Sequence, residues 1–241
     1  MNRFATRFGI LTTLMGLAGC ATNGNPHDPL EGFNRAMFEF NDTVDQVAVK
    51  PAAEMYQTTL PSFVQTGIGN FFGNLTDIPT GINNLLQGKI ADGTTDLMRV
   101  VFNSTLGLGG VLNIASEAGM PKHKEDFGQT LGKWGVASGS YLVLPVLGPS
   151  TLRDSAMLPL DFAVDPWGYS YPVRWRNAGS VVRVVDQRAA LLNTSNLLEE
   201  AAFDRYQFVR DAFLQRRENQ VYDGNIPHKP YYDENGNTES K

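Results

Sequence analysis

The residue with the clearest chemical role is Cys20, the only cysteine in the chain. It ends the tetrapeptide LAGC, which follows Arg3, Arg7 and a mostly apolar run over residues 8–17. Positive residues, an apolar run and small residues before a cleavage point are the parts of a secretory signal. A signal of this kind that ends in cysteine is typical of bacterial lipoproteins, in which the cysteine becomes the N-terminus and carries acyl chains. An ordinary signal peptide that happens to end in cysteine is the alternative.

Acylation at Cys20 would hold the mature protein at a bilayer surface, at about 0.8 kcal/mol per buried CH₂ group. We therefore divide the chain into a lipoprotein signal peptide (1–19), a lipidated tether (20–27), one domain (28–222) and a polar tail (223–241). We expect the tail to be disordered because it is almost entirely polar. An Asp after the cysteine is the usual signal for retention at the inner membrane, so Ala21 favours the outer membrane of a two-membrane bacterium.

Other residues that could do chemistry lack the spacing that chemistry needs. His27, His123 and His228 are far apart in the chain and form no HExxH or similar metal-ligand pattern. No GxSxG nucleophile elbow is present, which gives no support to a lipase of the α/β-hydrolase type. We therefore predict no catalytic residue, no metal and no cofactor, and keep a phospholipid-degrading enzyme only as a minority alternative.

Three short motifs have simpler explanations than catalysis. DFG at 126–128 lacks every other kinase element and is better explained as a helix start. GLGG at 107–110 matches no phosphate loop and is better explained as a turn. Asp92 and Asp96 lie one helical turn apart, as surface acids often do. None of them supports an enzyme.

The net charge of the chain is −5, and loss of Arg3 and Arg7 with the signal peptide would lower it by two. An acidic protein gives no electrostatic reason to expect nucleic acid as a partner. Attachment to a membrane would then depend on acyl chains and apolar surface rather than on charge. The chain has 24 glycines in 241 residues, a larger share than the average glycine content of roughly 7%. This excess indicates close helix contacts or many turns.

The first predicted helix has a strong start signal. Asp28 is placed as its N-cap, Pro29 at the first helical position and Glu31 at the third. Apolar residues three and four apart follow, and the helix should end near Pro51. The helix contains the aromatic residues Phe33 and Phe40. The hydrophobic core is the leading interpretation for both.

Residues 55–116 carry only five charged residues, Asp77, Lys89, Asp92, Asp96 and Arg99. Polar amides and hydroxyls interrupt this segment, so it lacks the roughly 20 mainly apolar residues of a spanning helix. Helices that lie in the membrane interface fit it better. We predict short helices at about 61–73, 78–87, 89–105 and 109–117, with the buried core of a soluble protein as the alternative.

The rest of the domain is also predicted to be mainly helical. Asp126 and Gln129 should restart a helix that ends near Trp134, and residues 141–144 could form a short strand or an extended loop that Pro145 ends. Ser150 is the expected cap of a helix over 151–164, and the aromatic residues of 165–169 are of the type favoured at bilayer interfaces. Two longer helices follow at 172–192 and 204–222, and their many charges indicate a solvated side.

Several long segments, taken in order, resemble the MlaA family of outer-membrane lipoproteins, also called VacJ. They lie between residues 28 and 218, and they are DPLEGFNR (28–35), GNL (73–75), NNLLQG (83–88), RVVFNSTLGLGG (99–110), DFGQTLGKWGV (126–136) and LPVLGPSTLRD (144–154), with a weaker match at QRAALL (187–192).

The resemblance implies an all-α fold: a ring-like assembly of amphipathic helices in one membrane leaflet, with at most a short extended hairpin or loop near 141–148. It also implies a polar channel that removes mislocalised phospholipids from the outer leaflet of the outer membrane. Expected partners are phospholipid, the outer membrane, an MlaC-like periplasmic carrier and a trimeric porin like OmpC or OmpF. The family signature and candidate membrane or channel residues are Asp28, Pro29, Phe33, Asn34, Arg35, Phe40, Asn74, Asn83, Asn84, Arg99, Asn103, Gly107, Gly109 and Gly110.

The charge-poor segment 55–116 is our candidate for the lipid-facing rim. A structural lipoprotein that scaffolds envelope complexes without lipid passage is the main alternative function. The two differ in whether loss of the protein increases phospholipid at the cell surface.

Overall fold

The computed structural model of the protein describes residues 28–194 and 203–227. Cys20, the signal peptide, the tether and residues 228–241 of the predicted tail lie outside the described residues. The described part is mainly helical with one two-stranded sheet, as predicted.

The elements follow one another in a simple order. Helix α1 (Glu31–Val44) continues through a π-helical turn (Asp45–Val49) into α2 (Lys50–Thr59). After these come α3 (Ser62–Leu86), α4 (Ile90–Thr105), α5 (Ile114–Glu117), α6 (Phe127–Lys133), β1 (Tyr141–Leu144), β2 (Gly148–Thr151), α7 (Leu152–Val164), a 3₁₀ turn (Pro166–Tyr169), α8 (Val173–Ala189) and α9 (Arg205–Val221).

Helices α3 and α4 form a helical hairpin with very close backbones. A Cβ atom added to Gly93 would lie 2.9 Å from the carbonyl oxygen of Gly81, and one added to Gly81 would lie 3.1 Å from the carbonyl oxygen of Gly93. Only glycine allows this approach, because any side chain at either position would meet the opposite helix. The high glycine content is therefore used here for a helix contact, as predicted.

The sheet is an antiparallel hairpin in which Tyr141 pairs with Thr151 and Leu144 with Gly148. Alternate residues of β1 point inward, and Tyr141 and Val143 are fully buried against Tyr206 of α9. A second small apolar cluster joins Ala53 of α2 to the end of α8. The described core consists of two such small clusters rather than one large one.

Three sequence predictions fail where long-range contacts or proline geometry decide the outcome. Helix α1 begins at Glu31 and is not capped by Asp28. The carboxylate of Asp28 instead accepts a hydrogen bond from the distant Tyr206. Pro51 does not end the first helix, since a π-helical turn precedes it and it occupies the start of α2, where a missing N–H costs little. Pro79 lies inside α3, so the two predicted helices at 61–73 and 78–87 are one helix of 25 residues.

Helix starts that depend on neighbouring residues are predicted correctly. The Asp126 carboxylate accepts a hydrogen bond from the backbone N–H of Gln129 at 2.8 Å. The Asp204 carboxylate does the same for Gln207 at 3.1 Å. Helix α7 is capped one residue later than predicted, by the hydroxyl of Thr151 rather than by Ser150.

Within residues 28–194 and 203–227, no helix combines the length and the apolar character needed to cross a membrane.

Candidate functional site

The most distinctive feature of the molecule is the polarity of its interior. Among the described residues, eighteen buried side chains are polar or charged and ten are apolar. Large apolar side chains are instead exposed along most of the chain, and examples are Phe63 at 75%, Val47 at 76% and Leu108 at 74%. A protein surrounded by water normally shows the reverse arrangement.

The first polar cluster joins both ends of the described chain. The buried carboxylate of Asp28 accepts hydrogen bonds from the Asn34 amide at 2.8 Å, from the Tyr206 hydroxyl and from Arg210 at 3.2 Å. The Asn34 amide also donates to the Tyr141 carbonyl at 3.0 Å and accepts from the Val143 N–H at 2.8 Å. These bonds attach α1 to the hairpin and to α9.

A second cluster surrounds Arg99, which is almost completely buried between α3 and α4. Its guanidinium donates to the Asp77 carboxylate at 3.1 Å and to the Met120 carbonyl at 2.7 Å. Asp77 also pairs with Lys122 from the following loop. Because a buried charge is tolerated only when it is paired and hydrogen-bonded, this cluster fixes the loop onto the helical hairpin.

The neighbouring asparagines of α3 are buried in separate hydrogen bonds. Asn84 donates to Asp96 at 2.8 Å, and Asn83 accepts from the Thr130 hydroxyl at 2.6 Å. Asp96 also lies 3.0 Å from the Nδ1 atom of His123, whose Nε2 atom is 3.7 Å from Asp92. The sequence interpretation of Asp96 as a surface acid is therefore wrong, since the fold buries it completely.

A third cluster is built on Arg217 of α9. Its terminal nitrogens donate to both oxygens of Asp126, at 2.7 and 2.6 Å, and its Nε donates to Asp154 at 2.7 Å. Arg153 donates to the other oxygen of Asp154 at 3.0 Å. Gly128 makes room for the cluster, because a Cβ there would lie 2.3 Å from Asp154.

Acids of this cluster titrate differently because their partners differ. Burial alone would raise the pKa of Asp126, but its hydrogen bonds and ion pair with Arg217 hold it below the usual value. Burial raises the pKa of Asp161 to about 6, and the Phe127 N–H, at 3.1 Å, is the one hydrogen-bond donor to its carboxylate within residues 28–194 and 203–227. Asp126 is thus anionic at neutral pH, whereas Asp161 gains a proton under mildly acidic conditions.

A cleft of about 550 Å³ opens beside this cluster, between α6, the start of α7 and α9. Its lining includes Thr151, Arg153, Gln215, Arg217 and Glu218. A separate groove of about 360 Å³ is almost wholly apolar and is lined by residues such as Phe63, Phe71 and Val182. The molecule therefore offers a cleft with a mixed polar and apolar wall and, in a different place, an apolar groove.

The structure divides the residues singled out from the sequence. Asp28, Asn34, Asn83, Asn84, Arg99 and Asn103 are buried in the polar clusters, and Asn74 is buried beside Gly110. Gly107, Gly109 and Gly110 form the turn after α4, where Gly109 and Gly110 have positive φ angles. The remaining ones, Pro29, Phe33, Arg35 and Phe40, are partly or largely exposed.

Phe40 and Arg35 lie on the same helix, α1, but have different surroundings. Phe40 was predicted to lie in the hydrophobic core, but it is 47% exposed. Arg35 pairs with Glu31 at 2.8 Å and with Asp204 at 2.9 Å, which ties α1 to the start of α9. Apolar periodicity located the inward face of α1 only in part, because Met37 and Phe38 pack against the core but the fully buried side chain of that helix is Asn34.

Sequence reasoning missed the two buried arginines of α9. Tyr206, Arg210, Arg217 and Val221 are the buried residues of this helix, at spacings of four and seven. Their helical spacing was visible in the sequence, but arginine is ordinarily assigned to the solvated face. Arg210 has one adjacent partner, Asp211, but the other carboxylate partners, Asp28, Asp126 and Asp154, come from distant parts of the chain and gave no local signal.

What these clusters can do chemically is limited by their pairing. Their carboxylates and guanidiniums are held in ion pairs, and the described residues include no group of His, Cys, Asp or Glu arranged to hold a metal ion. Arginine–carboxylate pairs of this kind fix positions rather than activate a nucleophile. The interior is suited to supporting a polar surface inside an apolar exterior.

Known proteins share these features over most of the chain. The family model described as MlaA lipoprotein matches residues 26–220. Two curated relatives named intermembrane phospholipid transport system lipoprotein MlaA, from Shigella flexneri and Escherichia coli (strain K12), are each 36% identical over 220 residues, with 86% of this chain and 84% of the relative covered.

A third relative of the same name, from Haemophilus influenzae, is 33% identical over 236 residues and covers 90% of this chain and 92% of its own length. A solved structure described as the structural basis for maintenance of bacterial outer membrane lipid asymmetry matches with a TM-score of 0.69 at 36% identity. The match covers 80% of this chain and 98% of that one. With a family match from residue 26 to residue 220 and a similar fold, this chain belongs to the MlaA lipoprotein family.

Proposed function

We propose that this chain is an outer-membrane lipoprotein that removes mislocalised phospholipids from the outer leaflet and so maintains lipid asymmetry. The names of the relatives support transport of phospholipid between membranes, and none of them names a catalytic activity. The single structural observation that carries the proposal is the inverted polarity, with ion-paired and amide side chains inside and large apolar side chains outside.

A polar interior with an apolar exterior is the arrangement that moving a phospholipid across an apolar layer requires. A polar headgroup that enters an apolar layer without hydrogen-bonding partners costs several kcal/mol, so a route across the layer needs a polar lining. The wall of the cleft beside Arg217 includes the exposed polar side chains of Gln215 and Glu218. The headgroup would follow this polar surface while the acyl chains remain in the apolar surroundings.

The membrane setting completes the proposal. Acyl chains on Cys20 would hold the domain at the outer membrane, and the helices would lie as a ring in its inner leaflet. An MlaC-like carrier would receive the lipid on the periplasmic side, and a trimeric porin like OmpC or OmpF would be a neighbour in the membrane. No covalent step is involved, so partners would set the direction of lipid movement.

Complementation tests the proposal in cells. An Escherichia coli strain that lacks its own MlaA would express this chain, and surface-exposed phosphatidylethanolamine would be labelled with a membrane-impermeant amine reagent. We expect the chain to lower surface labelling. Cys20→Ala should fail to do so because the acyl anchor is lost.

A matched pair of substitutions tests the cleft itself. Gln215 lines the cleft, whereas Gln207 is an exposed residue of the same helix that does not line it. We expect Gln215→Trp to abolish the effect on surface phospholipid and Gln207→Trp to preserve it. Normal membrane localisation with no change in surface phospholipid would favour the scaffolding lipoprotein instead, and cleavage of phospholipid by the purified protein would favour an enzyme.

A further inference from the structure

A short segment after α7 has a composition unlike the rest of the chain. Residues 166–185 contain three arginines and no acidic residue, although the whole chain has a net charge of −5. The same segment contains four tryptophan and tyrosine residues, all within its first half. We call residues 166–176, which include the 3₁₀ turn and the start of α8, the aromatic turn.

Two arginines of the aromatic turn have no acidic partner among the described residues. Eight of the other arginines described pair with a carboxylate, and Arg183 of α8 is one of these, with Asp165 as its partner. Arg174 contacts only the ring of Trp175, at 5.7 Å. Arg176 donates to the Gly168 carbonyl at 3.2 Å and to the Asn177 side chain, which leaves its charge unneutralised.

The aromatic side chains of this segment are exposed rather than packed. Tyr171 is 89% exposed, Tyr169 is 73% exposed and Trp175 is 63% exposed. Trp167 is the exception, because its ring packs edge-on against Phe71 and Phe72 of α3 at 6.0 and 5.3 Å. Trp167 therefore attaches the aromatic turn to α3, and the exposed rings are presented from a fixed base.

The turn is also fixed to α8 by hydrogen bonds. The Trp167 indole N–H donates to the Arg176 carbonyl at 3.0 Å and to the Ser180 hydroxyl at 3.2 Å. Gly179 lies directly against this indole, since a Cβ there would be 2.1 Å from the ring. An exposed set of rings and cations on a rigid support has the character of a binding surface.

We propose that the aromatic turn is a lipid-headgroup contact surface, in which Arg174 and Arg176 bind membrane phosphates and Tyr169, Tyr171 and Trp175 lie at the boundary between phosphates and acyl chains. Arginine forms strong charge-assisted hydrogen bonds with phosphate, and tyrosine and tryptophan favour the bilayer interface. The surface fixes the depth of the protein in the membrane. This inference rests on the membrane setting of the proposed function, not on lipid passage.

The exposed aliphatic residues beside the turn favour a bilayer over an acidic protein as the occupant. Val173, Val181 and Val184 are 45%, 63% and 52% exposed on the same helix as the two arginines. A bilayer presents phosphates and hydrocarbon within a short distance of each other, so it satisfies both kinds of side chain at once. An acidic protein surface would match the arginines alone.

Depth-dependent quenching tests the inference with the full acylated chain in vesicles of phosphatidylethanolamine and phosphatidylglycerol. Tyr171→Cys would carry an environment-sensitive fluorophore, and a spin label would be placed either on the lipid headgroup or near the end of the acyl chain. We expect the headgroup label to quench the fluorophore more strongly. Stronger quenching by the acyl-chain label, or no quenching by either, would overturn the inference.

Arginine variants in the same labelled chain test the role of charge. Arg174→Gln should reduce or abolish the advantage of the headgroup label, and Arg176→Gln should add to this loss. Arg216→Gln is the matched control, because Arg216 is exposed and also has no carboxylate partner among the described residues. Equal effects at Arg174 and Arg216 would contradict a specific phosphate contact. Lipid passage is measured separately by surface labelling in cells, so a chain that fails there and still shows headgroup quenching keeps this inference and loses the proposed function.

Discussion

At the scale of single residues, two adjacent arginines of α9 have opposite environments. Arg217 is buried and pairs with Asp126 and Asp154, whereas Arg216 is exposed with no carboxylate partner among the described residues. Removing one member of a buried ion pair leaves the other charge unpaired in a medium of low dielectric constant. The two positions therefore separate the effect of a buried arginine from that of arginine in general.

We expect Arg217→Met to lower the free energy of unfolding by about 2–3 kcal/mol, because buried Asp154 loses one of its two arginine partners and the partly exposed Asp126 loses its arginine partner. Arg216→Met should change it by no more than about 0.5 kcal/mol. Urea unfolding in one fixed detergent, followed by circular dichroism, measures both. Equal effects of the two substitutions would show that the Arg217 cluster does not support the fold.

A second residue prediction concerns pH. The folded protein raises the pKa of Asp161 to about 6, mainly by burial, so the folded state binds a proton more tightly than the unfolded state does. The contribution of Asp161 to stability is therefore full at a pH below about 4, and it is lost as the pH rises through 6. The ionised side chain at neutral pH is a cost to the fold.

We expect Asp161→Asn to stabilise the protein at pH 7 and to have little effect at a pH of about 4, because asparagine can still accept the Phe127 N–H without carrying charge. Glu117→Gln, at an exposed acid, is the control and should show no such pH dependence. Melting temperatures across this pH range measure the difference. A constant difference between Asp161→Asn and the parent at all pH values would exclude a raised pKa.

Residues whose role depends on near neighbours could be predicted from the sequence, and the others could not. Asp126 and Asp204 cap helices through residues three positions away; the helix start at Asp126 was predicted from Gln129, and a helix was predicted to begin at 204. Asp28 has the same local pattern, yet its partners Tyr206 and Arg210 are nearly two hundred residues away. Asp28 makes these distant contacts rather than capping α1, because a buried carboxylate needs several hydrogen-bond donors, which a helix start does not supply.

At the scale of elements, the contact between α3 and α4 depends on two glycines. A side chain at Gly93 would meet both Leu85 at 2.7 Å and the Gly81 carbonyl at 2.9 Å, so the helices would have to separate. Gly32 lies in α1 with nothing within 4 Å of an added Cβ. The same substitution at these two positions should therefore have opposite effects.

We expect Gly93→Ala to lower the free energy of unfolding by about 1–3 kcal/mol, because the backbone of α3 cannot move aside without disturbing its packing. Gly32→Ala should raise it by about 0.4–1 kcal/mol, since alanine restricts the unfolded chain and fits a helix better than glycine. Denaturant unfolding of the two variants beside the parent measures both effects. Stabilisation by both substitutions would show that α3 and α4 are not in close contact.

Element boundaries show what local rules can and cannot supply. The turn at 107–110 was predicted from its glycines, but the helix predicted at 109–117 begins only at Ile114. Residues 141–144 form the short strand that was one of two alternatives for the segment before Pro145. Pro79 was placed at the start of a separate helix at 78–87, but α3 continues through it, with polar contacts to neighbouring segments around it, such as Asn83 to Thr130 and Lys122 to Gly73. Tertiary contacts can offset the lost hydrogen bond of a proline, and the sequence does not show them.

At the scale of the whole molecule, the shortage of charge in residues 55–116 was a better guide than any motif to where apolar surface lies. The described structure exposes Met55, Phe63, Ile90, Val101 and Leu106 in this segment. It also exposes apolar residues in α8, although the charges of this helix had indicated a solvated side. Most arginines of the C-terminal helices form ion pairs, so their charge does not imply a solvated surface.

Lipid crosslinking tests this distribution in detergent-free membranes. A photoreactive amino acid at Phe63 or Leu106, both strongly exposed apolar positions, should crosslink to phospholipid, because water would otherwise contact large apolar side chains at considerable cost. The same probe at Gln207 or Asp211, exposed polar positions of α9, should crosslink weakly. Mass spectrometry of the crosslinked peptides measures the yield at each site. Labelling confined to α8 and α9 would mean that residues 55–116 face protein or water, and the inverted polarity would then require a protein partner rather than a bilayer to cover the exposed apolar side chains.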